Sequence, residues 1–133
     1  MLDPSGLEVL DREECLRLLA TVEMGRVVFT TRGLPAVQPV KFIVKDESLW
    51  FPAQARTDLF GSARNGVVAF EVDAFDPKLH TGWWVTVLGR ASEAPESDLP
   101  QRRPELSWQL PLAADVRCVQ IPIEVVSGRR VVR

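Results

Sequence analysis

The sequence predicts a mainly β fold, a six-stranded antiparallel β-barrel with peripheral α-helices. Three observations carry that expectation. Short β-branched and aromatic runs recur at roughly 8–12-residue spacing, separated by turn signals. Only one stretch, Asp11 to Gly25, carries a strong helical period. The segment Gly82 to Ala91, GWWVTVLGRA, is apolar at nearly every position and reads as a central strand. Such a strand must be covered on both faces, inside a closed barrel or by a barrel on one side and a second subunit on the other.

A chain of 133 residues supports one core, so residues 1–133 are expected to form a single domain. The net charge of -2 supplies no attraction for nucleic acid or an anionic membrane surface, and neither is expected as a partner. No apolar run approaches the ~18–20 residues needed to span a bilayer, and the start MLDPSGLEVLDREE has no basic region followed by an apolar one. A cytoplasmic location is expected. Cys15 and Cys118 are the two cysteines, in no metal-ligand spacing, and His80 is the single histidine, so no metal site is expected.

In chain order, Cys15, Leu18, Leu19 and Val22 recur at i, i+3, i+4 and i+7, one apolar stripe on a helix from Asp11 to Gly25. Asp11 with Glu14 makes a capping-box pattern, Leu10 with Cys15 a hydrophobic staple, and Gly25 a left-handed stop. The one-sided stripe predicts that this helix plugs something else. Arg26 to Thr31 is the first strand, and Arg32-Gly33 turns it into a second, Leu34 to Lys45, in which Pro39 marks an edge, a bulge or a missing donor aimed at a ligand. After a turn at Asp46-Glu47-Ser48, Leu49 to Pro52 is the third strand. Thr57 then caps a short helix with Leu59, Phe60 and Ala63 inward, and Arg56 beside that cap makes a candidate phosphate contact.

Asn65-Gly66 precedes the fourth strand, Val67 to Asp73, with Val67, Ala69 and Glu71 on one side and Val68, Phe70 and Val72 on the other. Ala74 to Thr81 is a loop and Gly82 to Ala94 the fifth strand. Pro95 to Ala114 is irregular and proline-rich, with a turn or two possible from Glu105 to Leu110 around Trp108. Val116 to Val126 is the sixth strand, with Pro122 at an edge or bulge, and Ser127-Gly128 turns the chain into a closing RRVVR.

The helix DREECLRLLATVEMGRVVF, the strands LPAVQPVKF, VVAFEVDAFD and GWWVTVLGRASEA, and the closing VSGRRV resemble, in order and spacing, the pyridoxamine 5′-phosphate oxidase-like split-barrel flavoproteins. The resemblance covers most of the chain. It implies a split β-barrel that forms a homodimer and binds a flavin, usually FMN and in some branches a deazaflavin, in grooves at the dimer interface. By the same resemblance Val37, Gln38, Pro39 and Val40 line the isoalloxazine ring, and the segment Phe51 to Thr57, including Ala53, Arg56 and Thr57, approaches the phosphate. Trp83, with Arg129 from the partner, closes the groove.

The chain departs from the family pattern at three places. Pro52-Ala53 stands where relatives commonly carry Arg-Thr, Asp58 where they carry lysine, and Trp84 where many carry a small polar residue. Proline and alanine side chains donate no hydrogen bond, and a carboxylate repels a phosphate dianion. Two functions from different classes follow. One is a flavin-dependent oxidoreductase, FMN- or deazaflavin-dependent, in which the cofactor carries the chemistry and no side-chain catalyst is required. The other is a non-enzymatic split-barrel dimer with a degenerate cofactor site, acting as a binding module. The substrate is not encoded in any recognisable motif.

Overall fold

The computed structural model describes residues 1–95 and 115–132. Within them lie nine strands and two helices: β1 (Glu8–Val9), α1 (Arg12–Leu19), β2 (Met24–Thr31), β3 (Leu34–Lys41), β4 (Ile43–Lys45), β5 (Ser48–Gln54), α2 (Asp58–Ala63), β6 (Asn65–Asp76), β7 (Thr81–Glu93), β8 (Val116–Pro122) and β9 (Val125–Val131). The fold is a mainly β, antiparallel split barrel, as predicted, with three strands more than expected. The expected turn at Glu105 to Leu110 lies outside the described residues.

The sheet runs β3-β2-β6-β7-β8-β5-β4, with β9 on β7 and β1 on β9. β3 and β4 stand at opposite ends of this order yet are joined through the single residue Phe42. The sheet therefore has to curl until its two ends meet. At the junction Phe42 donates its N–H to the Glu23 carbonyl (3.1 Å) and buries its ring against Phe70, centroids 4.9 Å apart, edge to face. That junction breaks the predicted second strand in two. Pro39 lies on β3, an edge strand, where a residue without N–H is tolerated.

The inner face follows the predicted alternation. Val27 and Phe29, then Val68, Phe70 and Val72, then Val85 and Val87 are buried on adjacent strands. Burying each such side chain stabilises by roughly 1.5–3 kcal/mol. The Phe70 ring occupies the space beside Gly25, where a Cβ would lie 2.4 Å from it. Gly25 therefore serves β2 and does not stop a helix. The first helix ends earlier than expected, at Ala20, whose N–H reaches the Leu18 carbonyl.

The start of α1 agrees with the sequence. Asp11 accepts from the Glu14 N–H at 2.8 Å, and Leu10 and Cys15 are both buried. Cys15, Leu18 and Leu19 face inward against β7 and β9. Two-residue turns at Arg32-Gly33 and Asp46-Glu47 have positive φ throughout, the geometry that matches strand twist.

Other boundaries moved as well. Asn65-Gly66 opens β6 instead of preceding it, and β6 runs on to Asp76, shortening the predicted loop. The predicted sixth strand divides after Pro122, so that β8 pairs with β5 while β9 pairs with β7. Ser127-Gly128 is not a turn: Ser127 faces Thr86 and Gly128 faces Val85 within β9. Arg129 and Arg130 are therefore part of the barrel wall.

β7 is central, flanked by β6, β8 and β9. The described residues cover only one of its faces, that of Val85, Val87 and Ala91. Trp84 and Thr86 on the other face are half-buried and Leu88 is exposed.

Candidate functional site

The open face of the sheet is built by strand alternation. Across it, Val37, Val28, Ala69, Leu88 and Val125 sit opposite one another in register on β3, β2, β6, β7 and β9, forming one apolar row. Val37, Leu88 and Val125 are 60%, 46% and 57% exposed. The neighbouring row is polar except at its edge: Pro39, Arg26, Glu71, Thr86 and Ser127. Beyond it Trp84 stands between Asp73 and Arg129 and stacks on Phe75, centroids 6.4 Å apart.

In the polar row Arg26 Nη1 donates to Glu71 Oε1 and to Asp73 Oδ2, both at 2.9 Å. Burial raises the Glu71 carboxyl above its ordinary range, and the hydrogen bond and charge of Asp73 push the same way against Arg26. The Arg26 guanidinium is in turn held more firmly protonated, Asp73 first. The sequence put Glu71 on this side of its strand. It held no sign that Arg26 would reach across to it.

The four predicted ring-lining residues divide between two faces. Val37 and Pro39 are exposed on the open face, whereas Gln38 is half-buried and Val40 fully buried on the inner one. Proline is tolerated in a ladder only where an N–H would point away from the neighbouring strand, and Pro35 and Pro39 share that register with Val37. The backbone N–H and C=O of Val37 therefore point out from the sheet edge. A flat apolar strip with outward backbone donors and acceptors is suited to a planar heterocycle.

The predicted phosphate segment is less open. Phe51 is fully buried and stacks on Phe70 at 6.2 Å, and Ala53 is buried beside it, so neither side chain faces a ligand. The Thr57 hydroxyl donates to the Gln54 carbonyl (2.7 Å) and accepts from the Phe60 N–H (3.2 Å), so its one proton is committed. Asp58 pairs with Arg32 at 2.8 Å, which ties the start of α2 to the β2–β3 turn. Arg56 is exposed beside them. The residues fit a ring along Val37 and Pro39, but they do not build a tight terminal-phosphate cradle.

Trp83 and Arg129 lie elsewhere. Trp83 is half-buried on the inner face, opposite Ala74 and Arg130, two strands beyond β2. Arg129 donates to Asp3 Oδ2 (2.9 Å) and to the Gly128 carbonyl (2.9 Å). Within one chain these two do not meet β3, because β2 and β6 lie between.

The sequence profile of the pyridoxamine 5′-phosphate oxidase family matches residues 11–130, from the cap of α1 to the end of β9. The chain belongs to this family. The chain is also similar to the uncharacterized protein Rv0080 of Mycobacterium tuberculosis, 40% identical over 128 residues, covering 92% of this chain and 84% of that one. Two solved structures are similar in fold. An FAD-binding protein from Mesorhizobium loti has a TM-score of 0.79 at 26% identity, covering 95% of this chain and 99% of that chain. The FAD binding protein from Mycobacterium smegmatis has a TM-score of 0.74 at 27% identity, with the same coverage. Among the described residues no helix of this family member is long and apolar enough to cross a membrane.

Proposed function

We propose that this protein binds a flavin at the seam between two copies of itself and acts as a flavin-dependent oxidoreductase in the cytoplasm. The observation that carries this reading is the outward strip of β3 at Val37 and Pro39, continuous with an apolar row on four further strands that is half-buried at Val28 and Ala69 and exposed at Leu88 and Val125, in a chain of this family. An open apolar row of that extent calls for a cover, and a second copy laid on it by a two-fold axis supplies the same row in return. The FAD-binding character of the two solved relatives supports a flavin as the ligand.

A bound flavin supplies hydride and single-electron transfer. The chain's part is placement and exclusion of water. Val37 and Pro39 would lie along the ring, with the Val37 N–H as a donor, while Gln38 and Val40 hold the strand from the inner side. Arg56 is the cation available to a phosphate, and Phe51, Ala53 and Thr57 act by shaping the segment that carries it. Trp83 and Arg129 of one copy would border the groove of the other. FMN puts a dianionic phosphate at this weakly furnished end. FAD's diester phosphates ask less of it, and a deazaflavin remains an alternative ring.

The test is a spectrum of the purified protein, followed by titration with FMN, FAD and a deazaflavin, reading fluorescence quenching. Saturable binding of one of them at low micromolar concentration is expected. No binding at high micromolar concentration of all three overturns the flavin reading. It would leave a dimeric binding module, the second reading, which the committed Thr57 hydroxyl and the Asp58–Arg32 pair favour.

A further inference from the structure

The polar row beside the apolar one carries an imbalance of charge. One guanidinium, Arg26, serves two carboxylates, Glu71 and Asp73, which stand two residues apart on β6. Among the described residues the cluster carries one negative charge in excess. Its carboxylate side chains are already only 29% and 25% exposed in a single chain. Among the described residues no other cation on the adjoining strands bonds to it. Lys41 on β3, across from Met24, is itself engaged, β7 contributes Thr86 and Trp84, and Arg129 on β9 is held by Asp3.

We propose that closing this face against a second copy drives a proton onto the Glu71–Asp73 pair of each chain, so that the dimer tightens as the pH falls. The inference rests on the dimer reading given above. Water now shares the solvation of the surplus charge, and a covering sheet removes that water. A carboxylate that loses water without gaining a cation becomes neutral by taking a proton. A two-fold partner brings an identical cluster with the same surplus and adds no net compensating charge from this row. Association and proton uptake are then linked, and each favours the other. The raised Glu71 carboxyl of the single chain is the same tendency before the face is covered.

The experiment is sedimentation equilibrium of the full chain from pH 8 to pH 5 at constant ionic strength. The dimer dissociation constant is expected to fall with pH, by up to about tenfold per unit for each proton taken up. Glu71→Gln should make it nearly independent of pH and, at pH 8, tighter than the wild type. Asp73→Asn, which leaves Arg26 and Glu71 as a balanced pair, should act in the same direction. A wild-type dimer whose constant is flat or weakens toward low pH overturns the inference and leaves the dimer reading intact. So does an undiminished slope in both variants. A monomer at every pH overturns both.

Discussion

Gly128 on β9 lies directly beneath Cys15 on α1: a Cβ there would come within 2.8 Å of the Cys15 sulfur and 3.0 Å of the Trp84 carbonyl oxygen. The helix is seated where the sheet has no side chain. Cys15, buried and lacking a disulfide, is part of that contact, and burial pushes its thiol up from the ordinary value. Gly128→Ala should cost about 1–3 kcal/mol, the range for overpacking a filled site. A lowered urea midpoint with unchanged slope would record it. Cys15→Ala in the same chain should restore only part, since the Trp84 carbonyl is fixed in the β7–β9 ladder.

Phe70 is the centre of the barrel interior. It packs edge to face on Phe42, stacks on Phe51 and fills the space over Gly25. Phe70→Ala should destabilise by about 3–5 kcal/mol, because neighbours from three strands and the β3–β4 junction cannot all collapse into the void. Chemical denaturation measures this, and Phe70→Leu should lose distinctly less.

Thr57 caps α2 with a hydroxyl that is bonded on both sides. Thr57→Ala should cost about 1 kcal/mol and Thr57→Ser much less. The melting temperature separates the two. If flavin affinity falls more than stability in Thr57→Ala, the hydroxyl has a role toward the ligand beyond the cap.

Asp3 fastens the amino-terminal segment to β9. Its carboxylate accepts from the N–H groups of Leu7 and Ser5 and from Arg129. The Leu7 bond leads in holding its pKa below the ordinary 3.8, with Arg129 helping. A lowered carboxyl contributes above its unfolded value and loses that contribution as the pH falls through the folded one. The segment should therefore stay docked down to pH 4 and loosen below. Hydrogen exchange at residues 1–9 should show this, and Asp3→Asn should show it at neutral pH with little change in global stability.

Leu88 is exposed in the middle of the apolar row. Leu88→Arg should leave the melting of a single chain nearly unchanged and weaken self-association by at least tenfold, read by light scattering over a dilution series. A dimer unaffected by it would place the contact on another face.

Much of the fold was legible where the signal is local. Asp11 and Thr57 cap helices because a short acceptor precedes an apolar stripe, and the side-chain order of Val67 to Val72 follows from a two-residue period. Misreadings came where a glycine had two meanings. Gly25 and Gly128 look like a helix stop and a turn, but both are glycine because a ring or a sulfur from a distant segment needs the space. Around the candidate site, Pro35 and Pro39 announce an edge strand, while nothing local told that Phe51 and Ala53 would be buried.

The amino-acid order alone determined most of the extended segments, the caps at Asp11 and Thr57 and which side of a strand such as Val67 to Val72 is apolar, since those depend on neighbours a few residues away. The tertiary structure decided that β3 and β4 meet across a curled sheet, that Val28, Val37, Ala69, Leu88 and Val125 align in one row, and that Arg26 is shared by Glu71 and Asp73. Those relations depend on pairing register between strands far apart in sequence. A one-residue slip would turn every one of these side chains to the opposite face.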